Sequence, residues 1–352
     1  MRKLATIQKV IDLQPIPGAD QIEVATVLGW HVVVRKGEFK IGDQCVYLEV
    51  DSLLPQTPDF EFLAKAGTKK SYVDGKEFTG YRLKTVRLRG QISQGLCLPV
   101  SVLSGKKYPT DTRENPVYEN KEGDEVTDLL GVVKYEPMIP ASLAGIARGL
   151  FPSFIPKTDE MRIQSAPAVL ERHKNKEFYI TEKLDGSSVT VFKKDGELHV
   201  CSRNLDLMES DGNTLWRVVR ELKLEDKLLE GMAVQGEIMG HGIQNNSLKI
   251  PGHKLYIYSV YSIGESRYFG MREFLDQCFE LELETVPVIH GGHFEPPCTV
   301  DELVSLATRK SVLNPESWAE GIVIRSMEEA RDEDLGRLSF KIINPEYLLE
   351  NE

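Results

Sequence analysis

The first third of the chain carries its apolar residues in short Val/Ile-dense runs: IEVATV (22–27), WHVVVR (30–35) and CVYLEV (45–50). Turn signals separate them, at Pro17-Gly18-Ala19-Asp20, Lys36-Gly37 and Ile41-Gly42-Asp43. Runs of this length between Gly/Pro/Asp clusters predict β-strands. YRLKTVRLRG (81–90) alternates, which predicts a half-buried strand with basic side chains on one face and apolar ones on the other. Several short strands with turns suggest a small barrel, for which an OB-like fold is one candidate, and periodicity does not choose among barrel types.

The pattern then changes. Residues 131–160 hold Pro137, Pro140, Pro152 and Pro156 with little alternation, and are expected to form an interdomain connector with a short helix at Ala141–Leu150. From residue 161 onward strands and helices mix. FYITE and VTVFKK–DG–ELHVCS read as neighbouring strands, the latter two joined by a hairpin at Asp195-Gly196. LWRVVRELKLEDKLL (215–229) has helical spacing, VQGEIMG, LYIYSV and GIVIRS read as strands, and MREFLDQCFELE and VDELVSLATRK as amphipathic helices. The expected class is α+β in two domains: a β-rich module over 1–130, a connector over 131–160 and a mixed domain over 161–352.

Composition narrows this without redirecting it. With 352 residues, 41% hydrophobic and 28% charged, the chain has the make-up of an ordinary globular protein of more than one core. No run approaches a membrane span, and MRKLATIQKV lacks the apolar region of a signal peptide. Cys45, Cys97, Cys201, Cys278 and Cys298 form no CxxC pair, which suits a reducing intracellular compartment, cytoplasm or nucleus. The net charge of −11 disfavours whole-surface binding to nucleic acid. Residues 65–89 run against it, with eight Lys/Arg and two acidic residues.

The chemistry starts at Lys183-Leu184-Asp185-Gly186, where a strand-like run breaks off. A Lys-x-Asp-Gly string arises by chance in about one chain in ten of this length, so it decides nothing alone. Downstream, Glu237 lies in AVQGEIMG, Glu320 begins EGIVIRS and Lys341 follows LSF. Each is most simply a solvated charge at a strand end. In this order, however, the four elements resemble motifs I, III, IV and V of the covalent nucleotidyltransferases, the superfamily of ATP-dependent ligases and mRNA capping enzymes. Ser202-Arg203-Asn204 resembles motif Ia and LYIYSV motif IIIa.

A lysine that attacks phosphorus must be neutral, and near its ordinary pKa only about one in a few thousand is so at pH 7. Bare carboxylates make this worse. Asp185, Glu237 and Glu320 make sense if they hold Mg²⁺ or Mn²⁺ through its waters, so that the metal neutralises them and favours the free amine.

Only 11 residues follow Lys341, too few for the trailing OB domain of capping enzymes and most DNA ligases. A β-rich module in front, together with KTDEMRIQ (157–164) and SFKIINPEYLLE, resembles the ATP-dependent nick-sealing RNA ligases with an N-terminal OB fold. The resemblance implies a lysyl-AMP on Lys183, transfer of AMP to a 5′-phosphate, and its displacement by a 3′-hydroxyl. It implies metal support by Asp185, Glu237 and Glu320, and contact of Lys341 with the AMP phosphate. Glu182 and Tyr258 are implied at adenine, Arg203 at the ribose or the substrate end, and Arg162 at the departing pyrophosphate. Arg82, Lys84, Arg87 and Arg89 are implied in duplex binding. The implied partner of this monomeric enzyme is a nicked duplex with RNA on the 3′-hydroxyl side. Motif V departs from the Lys-x-Lys of many ligases, reading Lys341-Ile342-Ile343. A DNA nick ligase of unusual layout and a non-catalytic nucleic-acid-binding protein with a ligase-like shell are the alternatives.

Overall fold

A computed structural model describes residues 3–73, 76–109, 111, 119–135, 146–294 and 299–351. The chain separates into two compact units, Met1–Ile139 with Leu348–Glu352, and Pro140–Tyr347.

The first unit is built from β1 (Ala5–Pro15), β2 (Ile22–Val27), β3 (Trp30–Arg35), β4 (Gln44–Leu48), β5 (Ser52–Pro55), β6 (Lys69–Val73), β7 (Lys76–Arg82), β8 (Thr85–Leu88), β9 (Gln91–Gln94), β10 (Leu96–Pro99) and β11 (Val133–Lys134). A five-stranded sheet runs β10-β4-β1-β2-β3 and a four-stranded one β11-β5-β7-β6. The long first strand serves two partners: Ala5–Lys9 pairs β4, Val10–Pro15 pairs β2, and an irregularity between Val10 and Asp12 marks the change. Such a bulge bends a strand and lets one sheet curl. Strand β4 is buried on both faces, with Val46 and Leu48 in one apolar cluster and Cys45 and Tyr47 in another. That accounts for its unalternating sequence.

The alternating stretch 81–90 is not one strand. Strand β7 ends at Arg82, Leu83 is tied by backbone bonds to Asp51 and Ser52, and a new hairpin of β8 and β9 begins at Thr85. Its turn takes Arg89 and Gly90 into the left-handed region, at φ 51° and 85°, the geometry of tight hairpins.

The second unit contains β12 (Ala147–Leu150), β13 (Met161–Arg162), α1 (Ala168–Arg172), β14 (Phe178–Lys183), β15 (Ser187–Lys194), β16 (Glu197–Cys201), β17 (Leu205–Leu207), α2 (Thr214–Glu221), α3 (Leu224–Lys227), β18 (Met232–Gly240), β19 (His253–Ser262), β20 (Arg267–Tyr268), α4 (Met271–Glu280), β21 (Val288–Phe294), α5 (Val300–Ala307), β22 (Gly321–Ser326), β23 (Arg331–Asp332), β24 (Gly336–Arg337) and β25 (Ser339–Ile343). A seven-stranded sheet runs β12-β17-β16-β15-β18-β19-β20 and a five-stranded one β13-β25-β22-β14-β21. Helices α2 and α4 cover the first through Trp216, Val219, Phe274 and Cys278. Helices α1 and α5 cover the second through Val169, Leu170, Leu303 and Ala307.

Three expectations change here. Residues 147–150 of the expected helix form β12, drawn into an antiparallel pairing with β17; the rest, 141–145, lies outside the described residues. The 215–229 helix is broken in two because Lys223 sits at φ 54°. The neighbouring strands FYITE and VTVFKK belong to different sheets: β14 pairs β21 and β22, while β15 pairs β16 and β18. The turn Leu184–Gly186 is where the chain crosses from one sheet to the other. The hairpin at Asp195-Gly196 is as expected, with both residues left-handed at φ 55° and 80°.

Candidate active site

Alternation along β14 sorts its side chains. Phe178 and Ile180 join the core under α1 and α5, whereas Tyr179 packs with Val189, Val191 and Val234 of the seven-stranded sheet. Lys183 falls on the Tyr179 side by the period of two, and points to where the two sheets of this unit meet. Register completes the placement. Lys183 lies opposite Gly321, Lys341 opposite Val323, and Arg162 opposite Lys341. Three strands of one sheet therefore carry Lys183, Lys341 and Arg162, Glu320 directly precedes a fourth, β22, and β18 of the other sheet brings Glu237.

Lys183 Nζ donates to Glu320 Oε1 at 2.6 Å. Glu237 Oε1 accepts from the Gly186 amide at 3.1 Å, and Asp185 accepts a short hydrogen bond from the Tyr347 hydroxyl. Burial alone would lower the lysine's pKa, but the charges of Glu320 and Glu237, the hydrogen bond to Glu320 and the charge of Asp185 together raise it. Burial likewise pushes Glu237 up to about 8, against the pull of Lys183. Without further cations, then, the amine is held protonated. Glu320 Oε2 is buried with no hydrogen-bond partner among the described residues. A buried carboxylate oxygen left so is a costly arrangement, and one that a cation or its water would relieve. Among the described residues no three His, Cys, Asp or Glu side chains are grouped closely enough to ligate one ion directly. Asp185, Glu237 and the unpartnered Glu320 oxygen are the oxygen donors that suit a hydrated divalent ion.

Two glycines permit this packing. A Cβ on Gly186 would lie 2.3 Å from the Ile238 carbonyl oxygen, and one on Gly321 would lie 2.1 Å from that of Ile342. The glycine of Lys-x-Asp-Gly is thus needed for the close approach of β18, a reason in addition to any passage of a ligand.

Lys341 is mostly buried, and burial carries its pKa down to about 8, offset in part by Asp159 and reinforced by Lys183 and Arg162. Its Nζ lies 3.2 Å from Asp159 Oδ1. Arg203 stands in the exposed turn after β16, with Nη2 3.5 Å from Asp159 Oδ2. Tyr258 is the extra residue where the β18–β19 register slips, since Gln235 faces Ser259 and Gly236 faces Ile257. Its hydroxyl is 2.8 Å from Thr158 Oγ1 and 3.3 Å from Ser188 Oγ, whereas Tyr256 is packed in a core cluster. Beneath this segment Arg325 Nη2 donates to Glu160 Oε1 at 2.7 Å, and Ser339 Oγ reaches the same oxygen at 3.3 Å.

Several other expected residues have partners within the fold. The Glu182 carboxylate accepts from Ser311 Oγ and from the Val312 amide at 2.8 Å, so it is committed to that loop. In the first unit, Arg82 pairs with Asp51 at 3.0 Å and covers the Tyr135 ring at 4.5 Å, which makes it part of the fold. Arg87 and Arg89 occupy the exposed tip of the β8–β9 hairpin and Lys84 its half-buried base. The four do not share a strand face. Asp159, Glu160, Arg325, Ser188 and Tyr347 were not singled out by sequence. Nothing local distinguishes them, although Asp159, Glu160 and Tyr347 lie within KTDEMRIQ and the NPEYLLE tail.

A family profile described as OB-fold domain matches residues 4–100, and one described as RNA ligase matches residues 176–343. Among solved structures, a glutamate-to-alanine variant of Naegleria gruberi RNA ligase with AMP and Mn is 36% identical, superposes with a TM-score of 0.84, and is matched over 99% of this chain and 98% of that one. The chain belongs to the RNA ligase family. A lysine-to-alanine variant of the Naegleria ligase with ATP and Mn gives 36% identity and a TM-score of 0.84 over 98% of each chain. The same ligase with PPi gives 37% and 0.83 over 99% of this chain and 98% of that one. A sequence search of curated proteins finds no match to this ligase. Its first unit is accordingly an OB-fold module ahead of a ligase-type catalytic domain, the α+β class expected from the sequence.

Proposed function

We propose that this ligase uses ATP to join a 3′-hydroxyl to a 5′-phosphate at nicks in duplexes with RNA on the 3′-hydroxyl side, acting as an intracellular monomer. The observation that carries the reading is Lys183 ringed by Glu320, Glu237 and Asp185, with Lys341 and Arg162 on adjoining strands of the same sheet. Crystallised forms of the Naegleria relative with ATP, AMP, PPi and Mn support ATP and a divalent metal as the ligands.

In this reading the Lys183 amine attacks the α-phosphorus of ATP. An N–P bond forms, the bond to the bridging oxygen breaks, and pyrophosphate leaves. AMP then passes to the 5′-phosphate, and the 3′-hydroxyl displaces it. Asp185, Glu237 and Glu320 would hold Mg²⁺ or Mn²⁺, with Tyr347 orienting Asp185. When bound, the ion offsets the carboxylate charge that otherwise keeps the lysine protonated and stabilises charge on phosphate. Lys341 meets the AMP phosphate and Arg162 the departing pyrophosphate. Tyr258 stacks on adenine, Glu182 shapes that side of the pocket by holding Ser311 and Val312, and Arg203 meets the ribose or the substrate end. In the OB-fold module, Lys84, Arg87 and Arg89 contact duplex phosphates, and the passage from module to catalytic domain falls within residues 131–160.

Incubation with α-labelled ATP or GTP and Mg²⁺, followed by a denaturing gel, tests the first step. An acid-labile labelled band from ATP alone, lost in Lys183→Ala, is the expected result. Label from GTP, or capture by the variant, would sink the assignment. Nicked duplexes with RNA or DNA at the 3′-hydroxyl side then read the sugar preference.

A further inference from the structure

Residues 157–162 lie along the candidate site and are fastened at nearly every position. Lys157 Nζ donates to Asn204 Oδ1 at 2.9 Å, Thr158 meets the Tyr258 hydroxyl at 2.8 Å, and Glu160 is anchored by Arg325 at 2.7 Å. Asp159, between these anchors, is bonded differently. Its two carboxylate oxygens are shared out, Oδ1 to Lys341 Nζ at 3.2 Å and Oδ2 to Arg203 Nη2 at 3.5 Å.

This is an anion between Lys341, assigned above to the AMP phosphate, and Arg203, assigned to the ribose or the substrate end. The Asp159 side chain is 44% exposed, and the anchors on either side keep the backbone in place. The carboxylate and a phosphate oxygen offer the same chemistry to a lysine and an arginine, and the two anions would repel each other at one site. Lys341 in turn sits near Lys183 and Arg162, whose charges oppose its own and are offset by Asp159 and Glu160.

We propose that Asp159 is an internal counter-ion that takes the place of the nucleotide phosphate on Lys341, with Arg203 beside it, and yields that place to the nucleotide, thereby setting nucleotide affinity. The proposal rests on the reading that Lys341 meets the AMP phosphate. It gives Asp159 a part at both ends of the cycle. ATP binds against its competition, and after sealing its return to Lys341 helps AMP to leave. Asp159 is a positioning residue here, since it touches Lys341 and Arg203 and not the reacting atoms.

The test is calorimetric titration with ATP, AMP and adenosine, with Mg²⁺, in a Lys183→Ala background that blocks covalent capture. Asp159→Asn should bind ATP and AMP about fivefold tighter, equivalent to about 1 kcal/mol for a partly exposed ion pair. Adenosine, which brings no phosphate, should bind unchanged. Asp159→Glu should stay close to the parent. On a Lys341→Ala background Asp159→Asn should gain little, because the lysine for which Asp159 and the phosphate compete is gone. Equal or weaker ATP binding by Asp159→Asn overturns the proposal and leaves the site reading intact, as does an equal gain for adenosine. If the parent binds no ATP, the site reading falls and the proposal with it.

Discussion

The buried pair of Glu160 and Arg325 offers a sharp test of what holds the site together. Arg325 is 3% exposed and Glu160 14%, and Nη2 and Oε1 are 2.7 Å apart. Arg325 Nε and Nη1 have no hydrogen-bond partner among the described residues, so Glu160 supplies the compensation for a buried positive charge. Burial would raise the Glu160 carboxyl, but the charge and hydrogen bond of Arg325, helped by Lys341, bring it from 4.5 down to about 2. At about 1.4 kcal/mol for each pH unit, that fall is worth about 3 kcal/mol. Breaking buried ion pairs from one side costs about 3–5 kcal/mol, in agreement. Glu160→Gln, which keeps the shape and removes the charge, should therefore destabilise the protein by about 3 kcal/mol at pH 7. The pKa is depressed, so the contribution is full above pH 4.5 and lost as pH falls toward 2. The gap between parent and variant should shrink by about half at pH 3. Urea titration followed by fluorescence, to which Trp216 and Trp318 of the second unit contribute, measures both gaps. A gap below about 1 kcal/mol at pH 7, or one equal at both pH values, would refute the reasoning.

Three further perturbations read other parts of the site. Gly186→Ala places a Cβ 2.3 Å from the Ile238 carbonyl oxygen; the melting temperature should drop, by overpacking of about 1–3 kcal/mol, and adenylate capture should fall at least tenfold, so a variant active and stable as the parent would contradict the packing argument. Lys341 loses its charge as pH rises through about 8, so ATP affinity should weaken from pH 7 to 9.5, and Lys341→Arg should flatten that profile; a flat profile in the parent would remove Lys341 from phosphate binding. Tyr347→Phe deletes the hydroxyl that donates to Asp185, and should raise the Mg²⁺ concentration needed for half-maximal labelling; an unchanged metal dependence would mean that the tyrosine does not position the aspartate.

What the sequence could express, and what it could not, divides along physical lines. The strands Ile22–Val27, Trp30–Arg35 and Gly321–Ser326 were legible because each is set by local alternation or an unbroken apolar run between turn residues. The breaks were not. Lys223 adopts positive φ without being glycine or asparagine, so no residue type announces the interrupted helix, and Gly90 alone, at the end of an alternating run, marks the hairpin turn that Arg89 shares. The sheet crossing at Leu184–Gly186 is a long-range fact, since pairing partners far away decide to which sheet each strand belongs. Lys183, Glu237, Glu320 and Lys341 could be picked out because their order along the chain resembles a family series. Asp159, Arg325 and Tyr347 act through partners 182, 165 and 162 residues distant in sequence, and a lone Asp, Arg or Tyr carries no mark of its partner. The same blindness misplaced Arg82, which looks basic and available in the string YRLKTVRLRG but is spent on Asp51 and Tyr135.

The partner positions of Lys183 and Lys341 on β22 are Gly321 and Val323, two residues apart. Two residues of extended chain span about 6.6 Å, and neighbouring strands stand about 4.8 Å apart. The spacing between the nucleophile and its companion lysine is thus read off a ruler with fixed graduations, and no loop length enters it. Insertions at the Asp195-Gly196 hairpin leave that ruler untouched. One extra residue inside β22 would change the graduation by a full step and turn the following side chains to the opposite face, so evolution of this catalytic domain can lengthen its margins freely but can edit its centre only by substitution.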